Sequence, residues 1–286
     1  MNNIFNIKRF GLVFRKDFME NRKLYVLFFL TMLGIMAIYS IIGTINYCHQ
    51  LGNTAVYNYM LHHRYLLIFF SFTFFTGGLL FASTFMMPMN SKLKMLSFLS
   101  SPSSNFEKYL SRWIIVTIGY VIAFFIAMWI ADFLRVTVAN VYYPDLEIKF
   151  LDLTKLIYPR DDNRLGEYLM SKIDFKIWVF IYFFFQSLFL LGATFWEKAS
   201  FVKTFVVLSV IVFVYIMLCR WTILLSYEEG LEGFGRVLNS LNPFTKNENA
   251  EKPFIVLVCT VLSVFTLTNW ILAFFRFRES EIIKRL

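Results

Sequence analysis

Six runs of roughly twenty predominantly apolar residues, at 24–45, 65–87, 113–134, 177–196, 201–225 and 254–275, interrupt this chain. An α-helix rises about 1.5 Å per residue, so each run is long enough to bridge the roughly 30 Å of hydrocarbon in a bilayer. Backbone polar groups inside lipid must be satisfied within the chain, which makes each run a helix. A content of 58% hydrophobic against 16% charged residues excludes an ordinary soluble domain on separate grounds. The expected fold is an all-α membrane protein, one transmembrane domain over 1–286 with six spanning helices. The run at 24–45 is too long for a cleavable signal peptide and lacks a small-residue cleavage site, so the first span is expected to stay in the membrane.

Lysine and arginine set the orientation. With the N-terminus in the cytosol, the inner segments hold sixteen bases, among them Lys8, Arg9, Arg15, Lys16, Lys92, Lys94, Lys108, Arg112, Arg276 and Arg278, against six acids. The outer segments balance, and Asp132 lies in a span. The net charge of +9 therefore belongs to one side, and both termini are expected to be cytosolic. That excess is a topology signal, so no nucleic-acid partner is expected. Cys48, Cys219 and Cys259 have no ligand or redox spacing and read as packing residues.

Between the spans, three stretches carry information. Over 4–22, Ile7, Phe10, Phe14 and Phe18 share one helical face opposite Lys8, Arg9, Arg15, Lys16 and Glu20. That is the composition of an amphipathic helix lying in the headgroup plane, with a second use as a rest for a cytosolic partner. Over 91–112, Ser104 and Glu107 have the spacing of a capping box, with Pro102 punctuating the entry. The segment reads either as a connector that starts the next span or as a lever exposed to a partner. Over 226–252, Gly230, Gly233 and Gly235 mixed with Phe234, Val237, Leu238 and Leu241 suit a loop that dips back into the outer leaflet. The extracytoplasmic loop at 135–176 is charge-balanced and expected to form a small cap.

Inside the membrane, Gly119, Ala123, Ala127 and Ala131 recur at every fourth residue, a face along which another backbone can approach closely. Gln186 and Asn269 are isolated amides at membrane depth, suited to interhelical hydrogen bonding or to lining a pathway. Asp132 and Arg135, three residues apart, read as a local ion pair at the outer end of the third span. His49, His62 and His63 lack the spacing of a metal site.

No phosphate-binding loop, zinc-protease or serine-hydrolase motif occurs, so the chain is expected to be neither an enzyme nor itself an ATP binder. The Glu228-Glu229 pair lacks the arginine spacing and the later histidine of the intramembrane proteases it brings to mind.

The run Ser101-Pro102-Ser103-Ser104-Asn105-Phe106-Glu107-Lys108-Tyr109-Leu110-Ser111-Arg112-Trp113 resembles a segment of the type-2 permease subunits of ABC (ATP-binding-cassette) exporters, in the short single-domain form of Bacteroidetes-like bacteria. The hairpin Phe195-Trp196-Glu197-Lys198-Ala199-Ser200-Phe201-Val202-Lys203-Thr204 and the tail Arg276-Phe277-Arg278-Glu279-Ser280-Glu281 are similar to the same family. Ser100-Ser101-Pro102 stands where that family has Leu-Pro-Ala. The resemblance implies a bacterial inner-membrane permease whose 91–112 segment is a coupling helix on a separate ABC-type ATPase. It also implies contact through Ser104, Asn105, Phe106, Glu107, Lys108 and Tyr109, ATP and Mg held by that ATPase, and a second permease chain completing a homodimer or heterodimer. The reading from another class is a non-transporting membrane scaffold or regulator that anchors an ATPase for cell-envelope remodelling.

Overall fold

A computed structural model describes residues 5–49, 55–87, 92–99, 102–144, 148–151, 175–196, 198–226 and 248–285. The described residues form helices α1 (Ile7–His49), α2 (Ala55–Ala82), α3 (Lys92–Leu99), α4 (Asn105–Ile114), α5 (Tyr120–Tyr142), α6 (Phe175–Phe195), α7 (Ser200–Ser226) and α8 (Glu248–Arg285). A π-helical segment, Ile115–Gly119, joins α4 to α5 without a break. Six helical stretches are long and apolar enough to cross a membrane, one for each apolar run, so the architecture is that of a multi-pass membrane protein. The re-entrant loop expected at 226–252 and most of the cap expected at 135–176 lie outside the described residues.

The first difference from expectation is at the N-terminus. The entry helix over 4–22 is not a separate element: α1 runs unbroken for 43 residues, about 64 Å at the helical rise. Between Arg15 and Leu33 there is neither glycine nor proline, so nothing in the chain ends one helix or starts another. The tail after the sixth span is likewise continuous with it, within the 38 residues of α8.

The second difference is where α2 stops. The apolar run extends to Met87 and Pro88 follows it in sequence, yet the α-helix ends at Ala82. Ser83 and Thr84 turn their hydroxyls onto the carbonyls of Leu80 and Phe81, at 2.6 and 2.7 Å, competing with the helical ladder. The chain then tightens into three-residue turns, Thr84 N–H to Phe81 O and Phe85 N–H to Ala82 O.

Packing divides the helices by neighbour. α1 lies along α5, α8 lies along α6, and α2 touches α1, α5 and α6. The shared core is aromatic: Phe74, Tyr120, Phe124 and Tyr182 pack tilted or edge to face, with ring centroids 4.3 to 6.4 Å apart. Tyr120 donates its hydroxyl to the Phe74 carbonyl at 2.7 Å, an approach that Gly77 permits, because a Cβ there would meet that hydroxyl at 2.7 Å. α7 packs on α6 and leaves most of its circumference exposed.

The four-residue stripe is used in part. Ala127 and Ala131 are fully buried, whereas Gly119 and Ala123 are only partly covered. Each four-residue step advances about 40° beyond a full turn, so the stripe coils around the helix and cannot keep all four members on one neighbour. Burial continues instead through Arg135 and Ala139.

At the α5 end of the bundle, Asp132 and Arg135 pair at 2.7 Å. The same two side chains hold the following strand of chain, through Leu151 N–H to Asp132 Oδ2 at 2.9 Å and Arg135 to the Lys149 carbonyl at 3.0 Å. Nearby, Thr44 links α1 to His62 of α2 at 2.9 Å. Thr44 spends its proton on the Ser40 carbonyl, so it accepts from a neutral His62 protonated on Nε2. Burial, then the Arg135 charge, then His63 push the His62 pKa down to about 4. The unfolded chain takes up that proton near pH 6.5 while the folded chain refuses it, so the stability is present above pH 6.5 and is lost as pH falls toward 4. Thermal unfolding in detergent is expected to show a lower midpoint at pH 5 than at pH 7.5. His62→Gln should flatten that difference, and an equal slope in both proteins would refute the assignment.

Candidate functional site

The site builds outward from α4. Ser104 caps the helix by accepting from Glu107 N–H at 3.2 Å, and Glu107 returns the bond to Ser104 N–H at 3.1 Å, the capping box read in the sequence. Glu107 does more than cap. Arg9 of α1 grips its two oxygens at 2.7 and 2.8 Å, and the Asn6 amide adds a third donor on Oε1 at 2.8 Å.

This geometry limits which of the six residues expected at a partner contact are open to one. Glu107, Lys108 and Tyr109 are 0, 1 and 7% exposed, so their side chains face the interior of this chain. Ser104 and Asn105 are partly covered, and Phe106 alone of the six is exposed. The reason is that α4 turns its polar face inward, where α1 supplies opposite charges. Glu107→Ala is expected to lower stability by about 2–3 kcal/mol, combining a lost cap with a lost charge-assisted fork. Glu107→Gln, which keeps the cap, should lose less in the same thermal melt; equal effects would show that the reciprocal cap bond to Ser104 N–H contributes nothing.

One turn and a half further on, Arg112 joins three elements. It pairs with Asp17 of α1 at 2.7 Å, donates to the Phe85 carbonyl left open by the early end of α2, and lies 5.2 Å from the Phe98 ring of α3. Asn21 supports Asp17 from the next turn of α1, at 3.2 Å. Lys108 sits 5.0 Å from the centre of the same Phe98 ring, which also meets Phe277 of α8 edge to face. Ser97, beside Phe98, accepts Lys16 on its carbonyl at 2.8 Å and donates its hydroxyl to Glu20 at 3.0 Å. α3 is thus held by side-chain reach, while Leu96 next door is 61% exposed. Tyr109 completes the ring by donating to the Trp270 carbonyl of α8 at 2.8 Å.

Beside Arg112 is a small open cleft of about 10 Å³, room for about one water, lined by Asn21, Tyr25, Thr84, Phe85, Arg112 and Val116 among others. It lies where α1, the end of α2 and the start of the third span meet.

The two intramembrane amides make interhelical bonds. Gln186 of α6 donates to Thr117 of the π segment at 3.0 Å, and Asn269 of α8 donates to Ser187 of α6 at 3.0 Å. Both are buried. Sequence reading missed Arg9, Asp17 and Phe98 as members of the cluster. Asp17 carried a signal, as one of only two acids in a basic stretch that becomes helical.

No family model matches this chain, and no curated protein or solved structure is detectably similar to it.

Proposed function

We propose that this chain is the permease subunit of an ATP-driven exporter of the ABC class, with both termini and α3 in the cytosol of a bacterium and the spans in its inner membrane. The observation that carries this reading is α3 itself: a short helix between the second and third spans, exposed at Leu96 and fastened to α1, α4 and α8 through Ser97 and Phe98. A helix placed so passes a push on its exposed side to three long helices at once. The permease binds no nucleotide; a separate ATPase holds ATP and Mg and delivers the push, and alternating access follows from the tilt of the attached spans. Because Glu107, Lys108 and Tyr109 face inward, the contact is assigned to the exposed side of α3 with Phe106. A second permease chain, same or related, completes the pathway, and the exposed length of α7 leaves room for lipid or for that chain.

The test is affinity purification of the tagged chain from its host's membranes in mild detergent, with stoichiometry by mass spectrometry. An ABC-type ATPase near one per permease, released by Leu96→Glu and by Phe106→Glu, supports the assignment. Recovery with no ATPase rejects it in favour of the scaffold reading, and retention of the ATPase by both variants rejects the contact surface.

A further inference from the structure

Among the described side chains of α3, Ser97 and Phe98 make contacts of different kinds. Ser97 is held by exposed hydrogen bonds, which exchange readily with water. Phe98 instead enters a socket built from two cations, Lys108 at 5.0 Å and Arg112 at 5.2 Å, and the edge of Phe277 with centroids 5.9 Å apart. Both cations are buried, at 1 and 5% exposure, so the ring face replaces part of the hydration they have given up. Lys108 and Arg112 lie one helical turn apart on the same face of α4, which is how one ring serves both.

Arg112 is also the residue that ties α1 to the end of α2, through Asp17 and the Phe85 carbonyl, and that lines the cleft between them. The ring and the cleft therefore share one guanidinium.

We propose that Phe98 is a positioning residue, the joint through which α3 controls that cleft. With the ring seated, Arg112 is covered and holds α1 against the end of α2. With the ring withdrawn, water reaches Arg112 and Lys108, the Asp17 and Phe85 bonds compete with solvent, and the cleft widens. The source of the pull rests on the permease reading; the link from Phe98 to the cleft does not.

The test uses the full chain in lipid nanodiscs, with Cys48, Cys219 and Cys259 replaced by alanine. One reporter, Thr84→Cys, is placed in the cleft, and another, Ala139→Cys, at a buried position at the far end of α5. The rate of maleimide labelling is read in four versions: Phe98, Phe98→Ala, Phe98→Leu and Phe98→Trp. Phe98→Ala and Phe98→Leu are expected to raise labelling of Thr84→Cys by about tenfold, Phe98→Trp to leave it unchanged, and Ala139→Cys to stay protected in all. Unchanged labelling in the alanine and leucine versions overturns the proposal. So does a leucine version that matches Phe98, which would make the ring a space filler, or labelling of Ala139→Cys, which would make the effect general unfolding. If the alanine version yields no protein, leucine against tryptophan decides. ATPase recovery is scored on the same preparations. Unchanged labelling with ATPase present removes the joint and keeps the permease reading, and raised labelling with no ATPase keeps the joint and removes that reading.

Discussion

Arg112→Ala is expected to be the most damaging single substitution at the α4 cluster, lowering stability by about 3–5 kcal/mol. The side chains of Arg112 and Asp17 are only 6 and 8% exposed, so truncating one strands the other as an uncompensated buried charge. The Phe85 carbonyl loses its donor in the same step. Arg112→Lys keeps the charge but has one point donor where the guanidinium serves a carboxylate and a carbonyl in different directions, so it should recover only part of the loss. The pair Asp17→Asn with Arg112→Gln removes both charges and should be less harmful than the sum of the two single changes. Detergent-solubilised thermal unfolding, run on the wild type, Arg112→Ala, Arg112→Lys, both single neutral changes and their double, reads this directly. Wild-type stability in Arg112→Ala, or strict additivity in the double variant, would sink the account.

Gly192→Ala is expected to separate α6 from α7. A Cβ at Gly192 would lie 2.1 Å from Thr204 Oγ1, 2.7 Å from its Cγ2 and 2.9 Å from its Cβ. Threonine is short and branched at Cβ, with no flexible end to swing aside, so the helix backbones must move apart. Overpacking of this kind costs about 1–3 kcal/mol, and here it falls where α7 is held to the bundle. Faster proteolysis of the 198–204 hairpin and a lower melting midpoint are the expected signs, and adding Thr204→Ala should reverse both. Gly34→Ala is the control: nothing lies within 4 Å of its added carbon, and alanine favours the helix, so stability should hold or rise. Equal behaviour of the two glycine variants would mean that the close approach does not matter.

The spans were legible because lipid leaves the chain one solution, and an apolar run of sufficient length states it. The α4 cap was legible for a similar reason, since Ser104 and Glu107 satisfy each other within one turn. What the sequence concealed was partnership over distance. The resemblance offers Glu107 and Lys108 as part of a partner contact, yet both are buried together with Arg112. They are inside because Arg9 and Asp17, about a hundred residues away, arrive on α1 at the right height. The same blindness made 4–22 and 24–45 look like two helices: the amphipathic pattern changes near residue 23, but a change of pattern is not a change of backbone. The small-residue stripe is fully buried only at Ala127 and Ala131, because each four-residue step rotates about 40° past a full turn.

The unbroken course of α1 turns a distance into a phase. Its lower turns present Arg9 and Asp17 to α4, and its upper turns present Met36, Ser40 and Thr44 to the bundle, with no hinge between them. One residue more or fewer between Asn21 and Met32 would turn one set against the other by about 100°, whereas seven would return them to within about 20°. The two halves of the helix are geared to each other, and the number of teeth between them is as much a part of the design as the side chains they carry.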